Sequence, residues 1–342
     1  MRFVSLALLM TAGAFAAPGP IHVRAVVVAM FEVGEDTGDR PGEFQFWVER
    51  EKLTETLPFD GGYRKLRTNA DGSVLGVVTG AGVTNSTSTI TALGMDPRFD
   101  LSKAYWIIAG IAGVDPADAS LGSAAWANHV VDGDLVYELD SREAPADWPY
   151  SRLAVGAKRP GVRPDRTIPD VMVYELNSKL VEWAYQLTKG LKLKDTPEMA
   201  AYRATYKGYP KAMEPPFVLK GDDLGSSTYW HGKILTQWAN DWVKMWTGDK
   251  GNFVMTAMED NGTATALKRL EKAHKVDFRR ALFLRTASNY CMPAPEQGAA
   301  GSLLHEYAGG LPALESAHQV GSTVLHEILG HWSKWEEKIP GE

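Results

Sequence analysis

Cysteine is almost absent from the chain. Cys291 stands alone, which excludes an internal disulfide and leaves a packed core as the source of stability. Lysine and arginine form no block and the net charge is −6, so the positive stripe that nucleic acid requires is missing. Beyond the N-terminus no second stretch of about 18 apolar residues occurs, so no further helical membrane span is expected. A Gly-x-Ser-x-Gly elbow is also lacking, and Cys291 has no evident His partner, which argues against a Ser or Cys nucleophile. His326 and His331 lie at i, i+5. Zinc binding on one helix face needs i, i+4, so no metal site is expected.

What the sequence does contain begins with Met1-Arg2 and an apolar run from Phe3 to Ala16, closed by Ala14-Phe15-Ala16 before Ala17-Pro18. A short positive start, an apolar run and a small-x-small signal predict a cleaved leader over residues 1–17, and hence an exported, periplasmic or secreted protein. A mature N-terminal helix or an uncleaved anchor is the alternative. Residues 18–342 then form the working chain, ordinary in composition at 44% apolar and 23% charged, with 11 Trp to build a core.

Nearly continuous apolar runs at Val23 to Met30, Val74 to Thr79, Ala104 to Ala109, Phe253 to Ala257 and Ala281 to Leu284 read as buried strands. Helical patterns lie at Thr84 to Leu93, Val173 to Lys189, Thr228 to Trp246, Asn261 to His274 and Pro312 to Lys338. Trp230, Trp238 and Trp242 share one helical stripe and are expected in the core. Strands alternating with helices give an α/β layer fold. Ser141 to Asp170 lacks periodicity and reads as a long surface excursion.

Four segments have chemical potential. Thr79-Gly80-Ala81-Gly82-Val83-Thr84-Asn85 ends a strand and opens a helix, where unpaired N–H groups meet an anion or a ribose hydroxyl. It is also an ordinary tight turn, and Asn85 replaces the third glycine of a dinucleotide fingerprint. Ile108-Ala109-Gly110-Ile111-Ala112-Gly113 is expected as a second small-residue turn at a strand end, facing the same crevice. Met255-Thr256-Ala257-Met258-Glu259 runs from strand to helix. Its carboxylate suits a sugar diol, or merely a helix N-terminus. Leu284-Arg285-Thr286-Ala287-Ser288-Asn289 is expected as strand and then polar turn. Its Asn suits a purine edge, or its own backbone.

The order of these segments resembles the nucleoside phosphorylase superfamily. From Val23 to Trp335 the chain looks like the purine nucleoside permease family. The most specific pieces are Ala29-Met30-Phe31-Glu32-Val33-Gly34-Glu35, Gly38-Asp39-Arg40-Pro41-Gly42-Glu43 and Arg285-Thr286-Ala287-Ser288-Asn289-Tyr290. The resemblance implies a phosphorylase/hydrolase-like α/β domain with a twisted central mixed sheet flanked by helices. It implies Met258 beneath a ribose, Glu259 on its 2′ and 3′ hydroxyls, and Asn289 facing the base. Gly80, Ala81, Gly82 and Gly110 would line the same crevice. Lys220-Gly221-Asp222-Asp223 resembles the superfamily's base-side loop, which makes Asp222 a candidate there. Leu224 stands where the family has a stacking aromatic, so stacking falls to Phe217, Tyr229 or Trp230.

Two departures are informative. The Arg that holds phosphate in the hexameric phosphorylases is replaced by Ala109, leaving Arg40 or the Gly80–Gly82 backbone as candidate anion holders. The glutamate that activates water in the superfamily's hydrolases is sought among Glu32, Glu35 and Asp36. The reading is a purine-nucleoside-binding protein that cleaves the N-glycosidic bond. No cofactor is needed, with water or inorganic phosphate as nucleophile, and a homo-oligomer follows by analogy. One alternative is a non-catalytic nucleoside-binding component that supports uptake. Another is an exported α/β protein whose turns are structural only.

Overall fold

The computed structural model describes residues 19–165, 171–305 and 310–342. The expected leader lies outside them. Among the described residues, no helix is long and apolar enough to cross a membrane.

The core strands are β1 (Ala25–Ala29), β2 (Val74–Val78), β3 (Tyr105–Val114), β4 (Ala124–Trp126), β5 (His129–Asp132), β6 (Asp222–Gly225), β7 (Phe253–Ala257) and β8 (Ala281–Tyr290). They join into one mixed sheet that runs β5-β6-β7-β3-β1-β2, with short strands extending both edges. β8 lies parallel to β3 along almost its whole length and antiparallel to β4. β1 and β2 are parallel and buried at every position, which is why their sequences are unbroken apolar runs rather than alternating ones.

One edge of β3 is shared. Its first residues pair with β1, from Ala25 opposite Tyr105 to Val28 opposite Ile108. At its tip, Val114 pairs with Met255 of β7. Between these contacts neither neighbour is present, and the sheet splits open. This split is the crevice that positions the site.

Helices flank the sheet. They are α1 (Gln45–Arg50), α2 (Val83–Met95), α3 (Ser178–Thr188), α4 (Lys233–Thr247), α5 (Asp260–Lys272) and α6 (Gly310–Gly330). α2 packs on α5, while α6 packs on β3 and β8.

Several sequence expectations are corrected. Ala104 to Ala109 is only the first part of a ten-residue strand, so Gly110 and Gly113 lie within β3 and not in a turn. Arg285 to Asn289 likewise continues β8 to Tyr290. A hydrophobic pattern cannot show where such a strand ends, because the small residues at 109–113 neither extend nor break it. The segment beginning at Val173 opens as a strand, Val173–Glu175. α3 starts only after Asn177, whose side chain accepts the Lys179 and Leu180 N–H groups as a cap. α4 begins at Lys233 and leaves 228–232 as loop. The last helix divides at Gly330, before a short Trp332–Trp335 turn.

Trp238 and Trp242 of α4, and Trp230 in the loop before it, are buried as expected, and Trp246 is buried beside them. What covers this face is part of the 141–170 excursion, in which Arg152–Ala154 pairs with Val136–Glu138. The Arg152 guanidinium sits 4.7 Å from the Trp238 ring centre, a cation–π contact on a buried aromatic. The described part of the excursion is therefore anchored on the core.

Candidate functional site

The split exposes backbone groups of β3 that a neighbouring strand would otherwise satisfy, and two side chains take that place. Glu43, just before α1, accepts the Ile111 N–H through Oε1 and the Met30 N–H through Oε2, both at 2.7 Å. Thr256 accepts the Gly113 N–H at 2.9 Å through its hydroxyl. Buried backbone donors need such partners, so these side chains are fixed in place while facing the opening.

The opening is a cavity of about 230 Å3. Its apolar wall includes Met30, Phe31, Ile111 and Ala112, and its polar wall Glu43, Glu259, Arg285, Ser288 and Asn289. A side chamber of about 20 Å3 continues past Asn289 and Tyr229 towards Trp230 and Cys291. Such a mixture of one apolar wall and a few converging polar groups suits a small, partly aromatic ligand.

Three carboxyl groups and one guanidinium meet at the polar wall and behind it. Arg285 is fully buried on β8. It donates to Asp260 through Nε at 2.9 Å and through Nη2, to Glu259 at 3.3 Å and to the Ile111 carbonyl at 3.2 Å. Glu259 also accepts the Gly82 N–H at 3.1 Å. Burial raises the Glu259 carboxyl, against the opposing pull of Arg285 and the Gly82 N–H. Glu43 rises further, from an ordinary 4.5 to about 7. Burial is the main cause; Arg285 and the two backbone N–H groups oppose it, and Glu259 adds to it. Gly110 makes this crowding feasible. A Cβ there would lie 2.5 Å from Arg285 Nη1 and 2.7 Å from Glu43 Oε1.

The structure brings together Ala81, Met258, Glu259, Tyr229 and Asn289, all of which line the cavity. Gly80 and Gly82 form the adjoining turn with φ of 80° and 88°. Gly110 lies beneath it, inside β3. Asn289 Nδ2 donates to the Tyr229 hydroxyl at 3.0 Å and to the Tyr290 carbonyl at 3.1 Å, while its Oδ1 accepts from Ser288 at 2.9 Å.

Other candidates lie elsewhere. Glu32 does not line the cavity, because its carboxylate accepts the N–H groups of Val33, Gly42, Phe44 and Gln45 and so ties down the entry to α1. Glu35 and Arg40 are exposed on the preceding loop and do not line the cavity. Asp36 is paired with Arg64 at 2.9 Å. Asp222 is buried in the sheet, where it accepts the Asn128, His129 and Asn252 N–H groups. Leu224 is core, Phe217 does not line the cavity, and Trp230 borders only the side chamber.

The sequence reading missed Glu43, Thr256 and the role of Arg285. Glu43 had one visible signal, its place at the end of the Gly38 to Glu43 stretch. Among the described residues no His, Cys, Asp and Glu group could hold a metal. His326 and His331 face different carboxylates, Glu51 at 2.6 Å and Glu327 at 3.0 Å.

Residues 22–340 match the family model described as purine nucleoside permease. A probable purine nucleoside permease of Schizosaccharomyces pombe is 30% identical over 282 residues, covering 80% of each chain. A purine nucleoside permease of Candida albicans is 28% identical over 316 residues, covering 91% of this chain and 76% of that one. Among solved structures, futalosine hydrolase of Helicobacter pylori superposes with a TM-score of 0.53 at 14% identity, over 89% of this chain and 98% of that one. A 5′-methylthioadenosine/S-adenosylhomocysteine nucleosidase of Colwellia psychrerythraea does so with a TM-score of 0.52 at 15% identity, over 90% and 95%. The structural likenesses establish the fold.

Proposed function

The chain belongs to the purine nucleoside permease family, and on that premise we propose that it is an exported protein that binds a purine nucleoside in the split of the sheet and hydrolyses its N-glycosidic bond. The observation that carries this reading is Glu43, a fully buried carboxyl facing the cavity with its proton affinity raised to about 7. A base near neutrality is suited to taking a proton from water.

In this scheme the ribose lies against Met258, with its 2′ and 3′ hydroxyls donating to Glu259. Water attacks C1′ while the bond from C1′ to the purine nitrogen breaks; the water proton passes to Glu43, and the purine leaves with the bonding electron pair as an anion that solvent protonates while Glu43 returns its proton to solvent. The cationic character that develops on the sugar is stabilised by the Glu259 carboxylate, and the leaving base by donation from Asn289. Water is favoured over phosphate because the helix entrance is already occupied. The Gly82 N–H is taken by Glu259 and the Val83 N–H by Ser227. Arg40 is exposed and does not line the cavity, Arg285 is engaged by carboxylates, and a phosphate dianion would confront Glu43 and Glu259.

A second reading is non-catalytic binding that supports uptake. It is favoured by Asn289, because a side-chain amide cannot transfer a proton to the departing purine as a carboxylic acid can.

Incubation of the purified protein with inosine, guanosine or adenosine, with and without phosphate, separates these cases. Free base without phosphate is the expected result, abolished in Glu43→Gln with binding retained. Base released only with phosphate would indicate phosphorolysis. Calorimetric binding with no release would indicate the second reading, and no binding would remove both. N-terminal sequencing of the mature protein tests cleavage of residues 1–17.

A further inference from the structure

Asp223 and Asp260 are two fully buried carboxyls that the scheme above does not use. Asp260 opens α5 and holds the Nε and Nη2 edge of Arg285 in a two-point grip. Asp223 lies behind it on β6. Neither Asp223 oxygen meets an N–H or O–H donor among the described residues, yet the Asp260 carboxyl is within hydrogen-bonding reach. Two carboxylates cannot both stay charged at that separation in a dry interior beside one guanidinium. Burial and the neighbouring Asp260 push Asp223 far up, which favours its neutral form beside Asp260.

The consequence is geometric. Arg285 has five N–H donors in a rigid fork. Asp260 takes the Nε–H and one Nη2–H, Glu259 takes an Nη2–H, and the Ile111 carbonyl takes an Nη1–H. Glu43 lies next to Nη1, across Gly110, but forms no contact ion pair with it.

We propose that Asp260, backed by Asp223, is a positioning residue that turns the Arg285 fork towards Glu259 and withholds it from Glu43, so that Glu43 stays available as a base at neutral pH. The groups facing Glu43 are Arg285 from β8, Glu259 from the β7–α5 junction, and the Met30 and Ile111 N–H groups. Only Arg285 carries a positive charge, so the division of that charge between Asp260 and Glu43 is the controlling quantity. Removing the Asp260 charge loosens the two-point grip on Arg285 and leaves its charge to Glu43 and Glu259.

This inference rests on the proposed function only for the task it gives Glu43. Its test needs no nucleoside. The Glu43 side-chain carboxyl is followed by 13C NMR in carboxyl-labelled protein, assigned by its absence in Glu43→Gln. In Asp223→Asn/Asp260→Asn the Glu43 midpoint should fall by about one pH unit or more, a tenfold change in its proton affinity. In Asp223→Asn alone it should stay within a few tenths of a unit, because Asn, like the neutral acid, adds no charge behind Asp260. Should the double variant not fold, Asp260→Asn alone is expected to shift the midpoint in the same direction. A midpoint that is unchanged or raised in any folded Asp260→Asn variant overturns the proposal. If the protein turns over nucleoside, the acid limb of kcat should move with the NMR midpoint while KM changes little. Absence of turnover bears on the proposed function and leaves the titration readable.

Discussion

The Asn289 amide and the Tyr229 hydroxyl are hydrogen-bonded at 3.0 Å across the mouth of the cavity, which links the end of a buried strand to the loop before α4. A purine that took the Asn289 donor would have to share or displace this bond. Tyr229 is 46% exposed and its ring borders both the main cavity and the side chamber.

Asn289→Ala should therefore weaken nucleoside binding about tenfold, the equivalent of about 1.4 kcal/mol. Tyr229→Phe keeps the ring, frees the amide and should change affinity by less than about threefold. Isothermal titration calorimetry with inosine distinguishes the two. Equal losses would mean that the Tyr229 hydroxyl, not the amide, recognises the base.

Glu43 makes stability depend on pH in a defined direction. Its folded-state value of about 7 lies above the ordinary 4.5, so the native state binds this proton more tightly than the unfolded state. The contribution is complete below about 4.5 and is lost as pH rises through 7. The full span is about 3 kcal/mol. The melting temperature of Glu43→Gln relative to wild type should accordingly become more favourable from pH 5 to pH 8. A difference that is flat across this range would mean that Glu43 titrates normally.

The opposite sign is expected at Glu51. Burial would raise this carboxyl, but hydrogen bonds from His318 at 2.8 Å and His326 at 2.6 Å outweigh it and hold the group below 4.5. Its stabilisation is present above 4.5 and disappears as pH falls through the lower folded value. Glu51→Gln should melt lower than wild type at pH 7 and converge with it in strong acid. Parallel melting curves at both pH values would show that the contact between α1 and α6 contributes no charge-dependent stability.

Gly110→Ala tests the packing beneath the site. The added methyl would collide with Arg285 and Glu43, both fixed by several bonds. A loss of about 1–3 kcal/mol is expected, as for overpacking of a filled core, together with weakened nucleoside binding. A variant with wild-type melting temperature and affinity would show that the cluster has room to move.

Much of the sheet could be read from composition alone, because β1 and β2 are buried on both faces and carry no polar interruption. Glu259 and Asn289 were singled out because each follows or ends an apolar run, while Met258, and the choice between a ligand-facing and a merely structural role for the other two, came from the family resemblance. Glu43 was not. Its position depends on the split in β3, and no local pattern announces where two neighbouring strands part company. Glu32 was a natural guess for the opposite reason: it follows β1 at once, but the chain turns its carboxylate back onto the N–H groups of 42–45. Arg285 and Asp260 are 25 residues apart, so their pairing is a product of topology and has no spacing signature.

The split sheet also ties chemistry to architecture. Glu43 and Thr256 stand in for an absent strand, so the side chain proposed as the base is at the same time a structural tie. Replacement of either by an apolar residue of similar size would strand a buried amide of β3. Variation at this site is thus confined to side chains that still present an acceptor to Ile111 and Gly113, which narrows the chemistries this scaffold can acquire without a new strand to close the gap.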